Sequence, residues 1–116
     1  MKRHAIAIAA ALPLLGQQGA AVAQPDPVSA NSVMIGCREL TKSQKEPLRQ
    51  GTCFGIVRAM FFYGKSHFGI CAPDKANVGQ AIRVVIAYID QRPSRMNERF
   101  EDLALEALQQ AWPCRR

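Results

Sequence analysis

The sequence predicts an all-α protein: a small four-helix bundle stabilised by disulfides, following an N-terminal signal peptide. Three observations carry that prediction. Apolar residues recur at spacings of three and four in four separate segments, the period of a helix that buries one face. Four cysteines, Cys37, Cys53, Cys71 and Cys114, are enough for two bridges in a chain of 116 residues. The N-terminus reads as an export leader, which would carry those cysteines to an oxidising compartment where bridges persist. A domain this short buries a limited core, so covalent links are expected to supply part of its stability.

Residues 1–23 show the three parts of a leader. Lys2, Arg3 and His4 make a basic start, residues 5–15 an apolar stretch interrupted by Pro13, and Ala21-Val22-Ala23 a small-residue cleavage pattern. The apolar run is well short of the roughly 20 residues that span a bilayer. Cleavage after Ala23 and a mature chain with no stable membrane insertion are therefore expected. Residues 24–29, with Pro25 and Pro27, form an extended lead-in, and residues 30–116 the folded domain.

In the first helix Ala30, Val33, Cys37 and Leu40 share a face, with Ser29 or Asn31 able to cap it through a side-chain oxygen. The polar residues 41–46 and Pro47 end it. The second runs from Leu48 or Arg49 to Tyr63, its stripe formed by Cys53, Ile56, Val57, Met60 and Phe61, with Gly64 as a stop. Phe54 and Phe62 lie off that stripe, so this helix is expected to be the central, most buried one. A strand is the alternative for a stretch rich in Phe and Ile-Val, but the apolar residues do not alternate.

Residues 65–76 read as an irregular connection. The third helix is the clearest: Asp74 or Asn77 caps it, and Val78, Ala81, Ile82, Val85, Ile86 and Ile89 fall on one face. After a turn at Arg92-Pro93-Ser94, the fourth helix begins near Asn97 and ends at Trp112. Its stripe is Phe100, Leu103, Ala104, Ala107, Leu108 and Ala111; Glu101, Asp102, Glu106, Gln109 and Gln110 face water. Glu98, Glu101 and Asp102 sit in its first turns, where the helix dipole favours negative charge. Pro113 stops it.

Four cysteines allow three connectivities. Reflection across the first helical hairpin brings Cys37 level with Cys53, and the second brings Cys71, before the third helix, near Cys114, after the fourth. Those pairs are favoured; Cys53–Cys71 with Cys37–Cys114 remains open if the connection after Tyr63 doubles back. In the chain-entropy picture each favoured bridge contributes roughly 3–4 kcal/mol.

The composition argues against several function classes. Loss of Lys2 and Arg3 with the leader leaves a net charge of about +4, with basic residues scattered and not striped among aromatics, so no nucleic-acid surface is expected. The cysteine spacings match no close-set zinc ligands, and cysteines committed to bridges are not nucleophiles. His67, the one histidine beyond the leader, lies in a polar loop. The glycines form no phosphate-cradling motif. No metal, no cofactor and no catalytic constellation is expected, and the chain does not read as an enzyme.

The ordered residues Gly36-Cys37, Gly51-Thr52-Cys53-Phe54-Gly55, Phe68-Gly69-Ile70-Cys71-Ala72-Pro73, Gly79-Gln80, Val84-Val85, Arg92-Pro93 and Trp112-Pro113-Cys114 resemble the Rap/Tai family of immunity proteins associated with type VI secretion. The resemblance implies a small, disulfide-bonded helical protein of the periplasm that forms a homodimer. It further implies that the protein binds a secreted peptidoglycan amidase effector and plugs its cleft sterically, without chemistry of its own. The four cysteines carry over position by position; contact residues do not. His67 and Phe68, in the segment 65–70, are expected to be exposed and are the candidate partner contacts, the bare spanning of two helices being the plainer role for that segment. A periplasmic helical chaperone that binds unfolded clients is the alternative reading. It would expose an apolar patch on acidification or dimer dissociation, with Phe54, Phe62 and Leu105 the side chains to watch; burial of those side chains in a dimer accounts for them equally well.

Overall fold

The computed structural model describes residues 24, 26–42 and 47–115; the leader and its cleavage point lie outside the described residues. Four α-helices make the body: α1 (Ala30–Thr41), α2 (Pro47–Tyr63), α3 (Val78–Asp90) and α4 (Phe100–Ala111). α1 packs chiefly on α2 and α3 on α4, and α2 and α3 join the two hairpins. The core is one cluster in which Met34, Val57, Ile70, Val85, Ile89, Phe100, Leu103 and Leu108 are among the largest fully buried side chains. Burying each such side chain contributes roughly 1.5–3 kcal/mol. The apolar periodicity thus places all four helices and their inward faces.

The starts of α1 and α4 are decided by each other. Ser29 occupies the N-cap position of α1, but neither it nor Asn31 caps with its side chain. The first free N–H groups of α1 donate instead to main chain from the other hairpin: Ala30 to the Glu98 carbonyl and Asn31 to that of Met96, both at 2.8 Å. Reciprocally, the Phe100 N–H donates to the Val28 carbonyl at 2.8 Å, and Ser29 and Arg99 pair as an isolated antiparallel bridge. Ser29 Oγ and Ser32 Oγ both donate to the Asp26 carbonyl, which turns the lead-in onto the helix. Met96 and Glu98 supply these carbonyls, and Arg99, paired with Ser29, is extended. α4 therefore begins at Phe100, not near Asn97, and Glu98 lies ahead of the helix. At α3 a side chain does cap: Asn77 Oδ1 accepts the Gln80 N–H at 2.9 Å.

The α1–α2 crossing depends on Gly36. A Cβ there would overlap the Arg49 carbonyl, so only glycine lets the two backbones meet. After Tyr63 the chain does not stop at Gly64, as the sequence suggests. It continues as one π-helical turn (Gly64–Phe68), closed by Gly69 with φ 64° in the left-handed region. The Ile70 N–H donates back to the Gly64 carbonyl, and Ile70 packs where a Cβ on Gly64 would stand. The segment after α2 is thus a built turn. Ile70 then forms an antiparallel bridge with Pro113, and the Cys71 N–H donates to the Trp112 carbonyl at 2.8 Å.

One ionic cluster ties the 3₁₀ turn (Pro93–Arg95) to α3 and α4. The Arg95 guanidinium donates to both Glu98 oxygens and both Glu106 oxygens at 2.7–3.0 Å. Tyr88 OH donates to Glu106 Oε2 at 2.8 Å, and the Arg92 guanidinium lies 3.6 Å from the centre of the Tyr88 ring. The Arg95 hydrogen bonds, with that of Tyr88, hold the Glu106 carboxyl down at about 2, and Arg95 lowers Glu98 as well. Glu106 therefore does not simply face water. Ala111, expected in the stripe, is exposed because the chain turns away at Trp112.

Candidate functional site

The cysteines are joined as Cys37–Cys53 and Cys71–Cys114, and among the described residues none is free. The first bridge is fully buried and ties α1 to α2. The second is half-buried and fastens the segment after the π turn to the end of α4. No three His, Cys, Asp or Glu side chains among the described residues gather as metal ligands, and none of the described helices is long and apolar enough to cross a membrane.

His67 and Phe68 share the π turn but not an environment. His67 is exposed, with Nδ1 2.7 Å from Ser66 Oγ and its ring edge-on to Tyr63 at 5.9 Å. Phe68 is half-buried against the core, and its carbonyl accepts from Gln109 Nε2 at 2.8 Å. The expectation of an exposed Phe68 is corrected. A π turn widens the helix by one residue, and that rotates Phe68 inward while His67 stays out.

α2 is the element that departs furthest from the sequence reading. It is not the most buried helix: only Cys53, Val57 and Met60 are buried on it. The four largest exposures of apolar side chains in the described protein are all here: Leu48 at 84%, Phe62 at 63%, Tyr63 at 59% and Phe54 at 43%, the last level with Ile35 on α1. Phe62 lies about half a helical turn from Cys53 and Val57, so the apolar surface faces directly away from the core. Gly51, Gly55 and Ala59 are exposed on the same side, and a Cβ added at Gly51 or Gly55 would meet nothing within 4 Å. Phe54, Gly55, Arg58, Ala59, Phe62 and Tyr63 line a surface cavity of about 500 Å³. Arg58 sits over the Phe62 ring at 5.0 Å, a cation–π contact that steadies an exposed aromatic.

Charge sets this region apart too. Between Pro47 and Pro73 the sequence holds no Asp or Glu, while Arg49, Arg58 and Lys65 are all exposed. The signal was present in the sequence as a helix apolar over too wide an arc. Reading that excess as deep burial was the error, because a bundle this small covers only one side of α2.

A small two-bridge helical domain with one apolar, cationic helix face turned to solvent has the build of a protein-binding module. Residues 29–114 match the family model of Rap1a immunity proteins, and the chain belongs to that family. Membership points to immunity against a secreted effector. No curated protein matches the chain. No solved structure matches it either.

Proposed function

We propose that this protein is a periplasmic immunity protein that binds a peptidoglycan amidase delivered by type VI secretion and blocks its cleft by steric occlusion. The observation that carries the reading is the family match across residues 29–114, nearly the whole of the folded domain. Two disulfides in so small a domain support an oxidising address, and the export-like residues 1–23 agree with it. Occlusion asks nothing of the chain beyond shape and complementary charge. Self-association into a homodimer belongs to the same reading.

The test is protection. Candidate type VI peptidoglycan amidases are directed one at a time to the periplasm of a sensitive cell, with or without the full chain. Co-expression should prevent lysis by one of them, and the purified protein should inhibit its peptidoglycan cleavage at near-stoichiometric ratio. Lysis undiminished by the exported protein in every case would remove the proposal. The exposed face of α2 also suits a client-binding chaperone. Suppression of aggregation of acid-denatured clients, with no amidase inhibition, would favour that reading instead.

A further inference from the structure

We infer that the outward face of α2 is a docking surface for a protein that presents an apolar or aromatic side chain flanked by carboxylates. Within the function proposed above, on which this inference rests, that protein is the amidase itself. Three features of the face select the occupant.

The first is concavity. The cavity beside Phe62 has Gly55 and Ala59 as small-residue floor and Phe54, Phe62 and Tyr63 as walls. The small floor lets a partner's side chain approach the helix backbone. A bilayer surface takes up protruding side chains and leaves such a hollow unfilled, so the shape favours a protein over a lipid surface.

The second is charge. Phe62 stands between two hollows: Arg58 lines the one described, and Lys65 lines the other, together with Ile70 and Pro73. Asp74, at the border of the second hollow, is the one carboxylate among the described residues that line either. A second copy of the chain meeting this face with the same face would bring Arg58 and Lys65 from both copies into one contact, with no acid on α2 to answer them. A partner carrying carboxylates around its apolar knob meets complementary charge.

The third is composition. Exposed Phe, Tyr and Arg on a rigid helix are the residue types that dominate binding energy when a partner excludes water from them. Arg58 and Phe62 already touch, so little side-chain freedom is left to lose on docking.

The experiment measures binding of the full chain to the amidase it protects against, for wild type, Phe62→Ser and Arg58→Glu. Both side chains are exposed, so thermal melts should overlay, which separates a lost contact from a lost fold. The expected result is about 30-fold weaker binding for Phe62→Ser and at least about 10-fold for Arg58→Glu, with matching loss of inhibition. Raising salt from 50 to 500 mM should weaken wild type more than Arg58→Glu. If wild type inhibits the amidase and both variants do so equally well, this docking surface is wrong and the immunity function stands. If wild type inhibits no amidase, the function and the surface fall together. Light scattering and flotation with phosphatidylglycerol vesicles complete the test. A wild-type dimer split by either substitution, or vesicle binding abolished by either, assigns the face to a second copy or to lipid and overturns the proposal.

Discussion

α2 and α3 are two helices of similar apolar content with opposite fates. α3 leaves no large apolar side chain exposed: Ala81, Ile82, Val85 and Ile89 are buried and Val78, Val84, Ile86 and Tyr88 half-buried, while Gln80, Arg83, Ala87 and Asp90 are exposed. α2 spreads Leu, Phe and Tyr around its circumference, and the bundle covers only the side carrying Cys53, Val57 and Met60. Covered apolar surface records what the fold needs. Apolar surface in excess of one stripe, on a helix with a single packed side, is left for something outside the fold.

The largest test of this contrast removes packing where α3 is covered. Ile89→Ala should cost about 3 kcal/mol in urea unfolding, since the side chain is fully buried and leaves a cavity. A loss under about 1 kcal/mol would mean that this side of the bundle is looser than its burial indicates.

Next in size is Gly36→Ala. The new methyl would overlap the Arg49 carbonyl, backbone that cannot rotate aside, so α1 must back away from α2. A loss of about 2 kcal/mol is expected, with little change in helix content by circular dichroism. An unperturbed variant would show that the α1–α2 crossing has room to spare.

A smaller effect separates the ionic clamp on α3 and α4 from α2, which carries no acid. Folding lowers the Glu106 carboxyl from 4.5 to about 2, chiefly through Arg95. Its contribution is therefore complete above pH 4.5 and is lost as pH falls toward 2. Because Glu106 is 43% exposed and screened by solvent, that contribution is on the order of 1 kcal/mol. Glu106→Gln should lower stability by about that amount at pH 7 and flatten the decline between pH 5 and 2. Identical pH profiles for the two proteins would refute the assignment.

The smallest expected effect is the most informative about α2. Phe62→Ser should change the free energy of unfolding by less than about 0.5 kcal/mol, since the side chain is 63% exposed and lies outside the buried core. A loss of several kcal/mol would place Phe62 in the fold itself and end the comparison.

Much of the architecture was legible because a 3.6-residue repeat of apolar side chains means the same thing wherever it occurs. Ala81, Ile82, Val85 and Ile89 could be read as core without any knowledge of their neighbours. Ser29 and Asn31 could not be read correctly, because what satisfies the first N–H groups of α1 is the main chain of Met96 and Glu98, more than sixty residues away in sequence. Glu106 read as a solvated residue because nothing local reveals that Arg95 and Tyr88 converge on it. The candidate surface was half legible. Phe54 and Phe62 stood out, but their direction depended on how many neighbours a four-helix bundle can place around α2.

The order of residues by itself determined four helices, their inward faces and a chain rich enough in cysteine to be stapled, since periodicity and composition act over a few turns at most. Tertiary structure alone decided where α4 starts, that Phe68 turns in while His67 stays out, and that the second face of α2 is left bare. Those outcomes depend on which distant backbone and side chains arrive at each position, and short-range pattern carries no information about that.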